Sequence, residues 1–226
     1  MIELVALDIG GTVVQEHGAV YKALGAAVAA NGHPPSADDV RRWMGAGKRE
    51  AIRELLSIAA SGAPAADKVD RVHEDFEERL LDAYRRRPPA PFEGVPAALA
   101  ALRAAGIKVA LTTGFERAIA GPLLASVGWD ERVVDAVVCS DEVARGRPAP
   151  YMIFRAMEAT GIADVSRVLV AGDTVRDLEA GANAGVRAVV GVLTGSTDAV
   201  ALGRIRHTHI LASVAELPAL LESGLE

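Results

Sequence analysis

From Gly94 onward the chain repeats one pattern, a helical stretch, a break and then a short apolar run. Helix 95–105 stops at Gly106 and leads to an apolar run at 107–112; helix 116–127 leads to 136–139; helix 150–160 leads to 167–171; helix 176–184 leads to 188–192. A last run near 209–211 precedes helix 213–222. Apolar runs this short read as buried strands. Their alternation with helices calls for a parallel sheet covered on both faces. Residues 2–7 supply one more strand of the same kind, but the stretch after it breaks the pattern. Residues 16–87 read as four helices without a strand: 20–30, 37–43 behind a Ser36 N-cap, 48–60, and 67–86. Ser61-Gly62-Ala63-Pro64 ends the third, and Pro88-Pro89-Ala90-Pro91 reads as a stiff linker. The expected fold is therefore α/β, a doubly wound parallel sheet with an inserted all-helical cap. Residues 1–14 and 93–226 form the core domain and residues 15–92 the cap domain.

At 226 residues, half of them hydrophobic, the chain can bury a sizeable core. A formal charge of −6 without a clustered basic patch argues against a nucleic acid as partner. Cys139 is the only cysteine and sits in an apolar run, where it reads as a small buried hydrophobe rather than half of a disulfide. No basic and apolar leader opens the sequence, and no segment runs 18 apolar residues without a charge. The expectation is a soluble cytoplasmic protein that does not engage a membrane.

Chemistry-bearing residues recur where strands end, which in an open α/β sheet is the ligand-binding edge. The first strand ends in Asp8-Ile9-Gly10-Gly11-Thr12, a carboxylate beside backbone that can approach a ligand closely. The next ends in Thr112-Thr113-Gly114, where a hydroxyl and a backbone N–H can hold a phosphate oxygen. Gly146-Arg147-Pro148 precedes a helix, and Arg147 offers a charged fork matched to phosphate. A later strand runs into Gly172-Asp173-Thr174-Val175-Arg176-Asp177. Asp173 and Asp177 beside Asp8 would make a hard oxygen site suited to Mg²⁺. Each motif alone also reads as a turn, a helix start or a capped helix terminus; the four in this order are what point to a site.

That order resembles the haloacid dehalogenase-like (HAD) hydrolase superfamily, over nearly the whole chain. The resemblance implies that Asp8 is a nucleophile that takes up a phosphoryl group as an aspartyl-phosphate. It implies phosphate contacts from Gly11, Thr12, Thr113, Gly114 and Arg147. Mg²⁺ would be held by Asp8, the Gly10 carbonyl and Asp173, with Asp177 orienting the site. One departure narrows the branch. HAD phosphatases carry a second Asp two residues after the nucleophile as general acid and base, and here that position is Gly10. Haloacid dehalogenases also lack it, but they need neither Mg²⁺ nor the Asp173–Asp177 segment. Phosphonoacetaldehyde hydrolase (phosphonatase), with a small residue there, is the branch that remains.

The cap carries a second match. Phosphonatases place a Schiff-base lysine in Met-Gly-x-x-Lys, and this chain reads Met44-Gly45-Ala46-Gly47-Lys48. Lys48 shares a helical stripe with Ile52, Leu55 and Ala59 and opens its helix, and both settings favour the neutral amine. The other reading is a lysine snorkelling over the cap–core seam or holding a substrate anion. An imine on Lys48 would make the carbon leaving group an enamine, so no acid is needed at position 10. The His that follows this lysine by three residues in phosphonatases is Ala51 here, and their Tyr after Thr-Thr-Gly is Phe115. The expected function is therefore Mg²⁺-dependent cleavage of the C–P bond of phosphonoacetaldehyde or a related small phosphonate. A phosphate-monoester phosphatase or phosphomutase is the alternative, and a non-catalytic phospho-ligand sensor the third reading. A homodimer through the cap is an expectation of the resemblance alone. Trp43, Met44 and Phe115 read either as pocket lining or as seam packing, and His17 either as a solvated loop residue or as facing the site.

Overall fold

The computed structural model describes residues 1–32, 34–59 and 62–225. In chain order its elements are β1 (Leu4–Asp8), β2 (Val14–Gln15), α1 (Ala19–Ala30), α2 (Ala37–Arg42), α3 (Lys48–Ala59), α4 (Ala66–Arg86), β3 (Ala90–Pro91), α5 (Val95–Ala104) and β4 (Lys108–Thr113). There follow α6 (Arg117–Ser126), β5 (Ala136–Cys139), α7 (Tyr151–Thr160), β6 (Val168–Gly172), α8 (Val175–Ala184), β7 (Ala188–Val192), α9 (Ala199–Leu202), β8 (His209–Leu211) and α10 (Leu217–Ser223). The expected helix stop at Ala60 and Ser61, and the Ala59 side chain, lie outside the described residues.

Six strands pair in parallel in the order β5-β4-β1-β6-β7-β8. From β1 the chain winds outward through β4 and β5, then returns to the other side of β1 with β6. The order therefore reverses beside β1, and a crevice opens at the strand ends there. β1 is buried along its whole length, and its side chains alternate between two cores. Leu4 and Ala6 join Met152, Ile153 and Ala156 of α7 and Ala180 of α8 on one face. Val5 and Leu7 join Leu99 of α5 and Ile119 of α6 on the other. The second core runs on into the inserted helices through Leu24 of α1, Ile52 of α3 and Phe76 of α4. Inserted helices and sheet thus share one apolar interior, and its burial holds them together.

The Pro-rich linker expected at 88–91 is in part a strand. Ala90 and Pro91 pair antiparallel with Gln15 and Val14, so the two chain segments leading into and out of the helical insertion are tied into one ribbon. Pro91 is tolerated because the ribbon has only two strands and its N–H side stays unpaired. Two-residue strands have no periodicity for a sequence reading to find. The expected final helix is a short 3₁₀ turn at Val214–Glu216 followed by α10, with Pro218 in the first turn of α10. Ser36 does cap α2, and Asp39 reaches back to complete a capping box. Among the described residues no helix is long and apolar enough to cross a membrane.

Candidate active site

Pairing in register sets Asp8 beside Thr112, at the carboxyl end of β1. Arg147, only 4% exposed, reaches both. Its Nη1 donates to Asp8 Oδ1 at 2.7 Å and lies 2.8 Å from Asp177 Oδ1. Its Nη2 donates to the Thr112 carbonyl at 3.0 Å and the Thr112 hydroxyl at 2.7 Å. The guanidinium expected as a free fork for phosphate is therefore committed inward, because buried carboxylates need a bonded counter-charge. It clamps the end of β1 to the start of α8.

The start of α8 is built by its own sequence. Thr174 accepts from the Asp177 N–H, and Asp177 accepts from the Thr174 N–H at 3.0 Å and from the Thr174 hydroxyl. This capping box aims Asp177 back toward β1. Asp173 accepts from the Thr12 hydroxyl at 3.1 Å and from the Ser196 N–H at 3.3 Å. Burial, Asp8 and Asp177 hold the Asp173 carboxyl well above the usual carboxylate range. Burial and Asp8 push Asp177 up to about 6, against Arg147 and Thr174. Asp8, Asp173 and Asp177 offer oxygens that all lie within 4.8 Å of one another. Three buried carboxylates beside one guanidinium, which bonds Asp8 and Asp177 but not Asp173, leave negative charge uncompensated, and a hard oxygen-seeking dication suits that set.

Lys48 comes to the same place from the other side. Gly45, in the left-handed conformation, lets the loop before α3 close onto the core; a Cβ there would run into Thr174 Oγ1. Lys48 is 5% exposed, its Nζ donates to the Ala46 carbonyl at 3.0 Å, and it sits 5.6 Å from the centre of the Phe115 ring. Burial lowers its pKa to about 8, with Asp8 and Glu16 opposing the shift. Asp8, Gly10, Glu16, Tyr21, Lys48, Thr113, Gly114, Phe115 and Arg147 line one cavity of about 30 Å³ between insertion and sheet. A second, separate hollow of about 200 Å³ shares Gly10, Glu16 and Tyr21 with it, and is lined also by Gly11, His17, Asp173, Thr194 and Ser196.

Of the residues singled out in the sequence, Asp8, Gly10, Lys48, Thr113, Gly114 and Arg147 share the cavity, and Gly11 and Asp173 share the hollow beside it. Thr12 faces neither. It is fully buried and its hydroxyl holds Asp173, so the phosphate contact expected of it gives way to a positioning bond. Thr113 Oγ1 accepts from the Phe115 N–H at 3.1 Å. Phe115 lines the cavity, whereas Trp43 lies under the Arg176 guanidinium, 4.9 Å from ring centre to carbon. The sequence reading missed Glu16 and Tyr21. Their signal was position alone: both come after the Asp8 loop at the entry to the helical insertion.

The haloacid dehalogenase-like hydrolase family profile matches residues 2–185. The chain is 30% identical to a phosphonoacetaldehyde hydrolase of Bacillus cereus over 172 residues, 72% of this chain and 64% of that protein. It thus spans somewhat less than two thirds of that relative's length. It is 32% identical to a phosphoglycolate phosphatase of Agrobacterium fabrum over 224 residues, covering 97% and 92% of the two. In fold it matches a hydrolase from Pseudomonas syringae with a TM-score of 0.86 at 20% identity, over 98% of each chain.

Proposed function

The chain belongs to the haloacid dehalogenase-like hydrolase family, and from that premise we propose that it cleaves the C–P bond of a small phosphonate aldehyde of the phosphonoacetaldehyde type. The observation that carries this reading is Lys48, a buried amine with its pKa lowered to about 8, in one cavity with Asp8. An amine near neutrality at working pH is what imine formation requires. The Lys48 amine adds to the aldehyde carbon and water leaves, giving an iminium. Asp8 then bonds to phosphorus as the C–P bond breaks, and the bonding pair moves into the iminium to give an enamine. That pathway asks for no proton donor at position 10, where this chain has glycine. Arg147 holds Asp8 in place through its Oδ1.

Asp8, Asp173 and the Gly10 carbonyl would hold Mg²⁺, with Asp177 fixing Arg147 beside them. When bound, the ion supplies positive charge between the phosphoryl group and the carboxylates. A cavity of about 30 Å³ has room for about two waters and none for such a substrate, so the helical cap, proposed as residues 15–92, opens to admit it. The likeness to phosphoglycolate phosphatase over nearly the whole chain supports a second reading, phosphate-monoester hydrolysis.

Phosphate release from phosphonoacetaldehyde and from a panel of monoesters, with and without Mg²⁺, separates the two. Mg²⁺-dependent release from the phosphonate, lost in Lys48→Arg, is the expected result. Ester turnover that survives Lys48→Arg would overturn it in favour of the phosphatase.

A further inference from the structure

Imine chemistry moves protons, and the positions that would move them in the phosphonatase pattern carry none here. Residue 51 is alanine and residue 115 phenylalanine, and residue 10, the site of the acid in the phosphatase pattern, is glycine. The geometry points to Glu16 as the group that carries protons to and from Lys48 in this site. The inference rests on the Schiff-base reading above and gives it the proton carrier it lacks.

Glu16 is 9% exposed and lines the cavity that holds Asp8, Lys48 and Phe115. Its Cγ lies 3.7 Å from where a Cβ on Gly10 would stand, so its side chain fills the space beside position 10. Its Oε2 accepts from the Val20 N–H at 3.0 Å, in the first turn of α1. Its Oε1 has no hydrogen-bond partner among the described residues and remains able to take a proton. The other carboxylate lining the cavity, Asp8, is bonded to Arg147 and is the group that attacks phosphorus. Among the described residues Lys48 in turn donates only to the Ala46 carbonyl.

The step balances with one travelling proton. The Lys48 ammonium gives a proton to the Glu16 carboxylate, leaving a neutral amine. The amine adds to the aldehyde carbon, and a proton moves from nitrogen to oxygen to give the carbinolamine. Glu16 returns its proton to the carbinolamine hydroxyl as the C–O bond breaks. Water leaves, the nitrogen lone pair forms the C=N bond of the iminium, and Glu16 is a carboxylate again. Hydrolysis of the imine runs through the same states in reverse.

A helix-capping Glu16 with no chemical role would keep the same bond to Val20, so the informative variant is Glu16→Gln. Glutamine retains an oxygen acceptor for the Val20 N–H and loses the ability to shuttle a proton. The assay is reductive trapping of acetaldehyde on Lys48 with cyanoborohydride, followed by mass spectrometry; it requires neither metal nor turnover. Wild type should be trapped at Lys48, and Glu16→Gln about 10²-fold more slowly, with an unchanged melting temperature. Glu16→Ala should be slow in the same way and recover with added formate. Trapping of a folded Glu16→Gln protein at the wild-type rate would overturn the role of Glu16 and leave Lys48 untouched. Absence of trapping in wild type would instead remove the imine itself, and the role of Glu16 with it.

Discussion

Arg147 bonds Asp8 across 139 positions of sequence, at 2.7 Å and almost out of reach of solvent. The same nitrogen lies 2.8 Å from Asp177, so one guanidinium ties the first strand to the last acidic motif. Losing one member of a buried ion pair costs about 3–5 kcal/mol, because the partner's charge is left uncompensated. Arg147→Ala should therefore lower the melting temperature by about 10 °C and abolish phosphate release. Arg147→Lys should restore part of the stability, since it restores charge, but little activity. An ammonium cannot reproduce the four-way fork to Asp8, Asp177 and the two Thr112 oxygens. Thermal melts and single-turnover phosphate release on both variants check this; a fully active Arg147→Lys would show that the fork geometry is dispensable.

Neighbouring glycines should respond in opposite ways. Among the described residues a Cβ on Gly10 meets only Glu16 Cγ at 3.7 Å and the Phe115 ring at 3.9 Å, ordinary contacts. On Gly11, with φ at +88°, it would lie 2.7 Å from Asp173 Oδ2. Gly10→Ala should fold and melt close to wild type. Gly11→Ala should lose about 1–2 kcal/mol to backbone strain alone and more to displacement of Asp173. Gly10→Asp restores the acid of the phosphatase pattern at a position where a Cβ makes only ordinary contacts. Its ester turnover should rise above that of wild type, as read on the monoester panel.

These glycines also mark how far the sequence could be read. The sheet, its strand ends and the insertion were legible because β1 and the later strands are short apolar runs punctuated by Gly, a pattern set by local chemistry. Asp8, Arg147 and Asp173 were legible because each sits at a strand end or helix start. Their bonds were not. Thr12 meets Asp173 across 161 positions, and whether Arg147 points at a ligand or at Asp8 depends on side chains from three separate segments. Glu16 stayed hidden for a related reason. It lies in a loop without periodicity, and only the folded chain brings it beside Gly10.

Lys48 yields a prediction with a definite sign. Its folded-state pKa of about 8 lies below the 10.5 of a free lysine. Between those values the unfolded chain holds a proton that the folded chain has lost, so stability rises with pH across that window. Below pH 8 the folded protein carries the full cost of a buried ammonium, on the order of 3 kcal/mol. Lys48→Met should accordingly be more stable than wild type at pH 7, and the gap should close as pH rises from 8 toward 10.5. Urea denaturation of both proteins at pH 7, 9 and 10 measures it. A gap that stays constant with pH would mean that Lys48 titrates as an exposed lysine.

Opening of the cap should depend on Glu116. This core residue, directly after Phe115, accepts from Arg49 Nε at 2.8 Å and lies 3.3 Å from Nε2 of the buried His73. Arg49 comes directly after Lys48 on α3 and also pairs with Asp70 of α4, so one core carboxylate gathers two cap helices. The half-exposed Arg49 pair contributes about 0.2–1 kcal/mol. Removing both contacts in Glu116→Ala should raise the population of the open state several-fold rather than unfold the protein. Amides of residues 45–48, packed against the core only when the cap is closed, should then exchange with solvent faster by the same factor. If the substrate enters through the proposed cap opening, its association should quicken as well, while exchange deep in β1 stays unchanged. Unaltered exchange at residues 45–48 would place the closing interaction elsewhere, with the loop around Gly45 that meets Thr174 as the next contact to break.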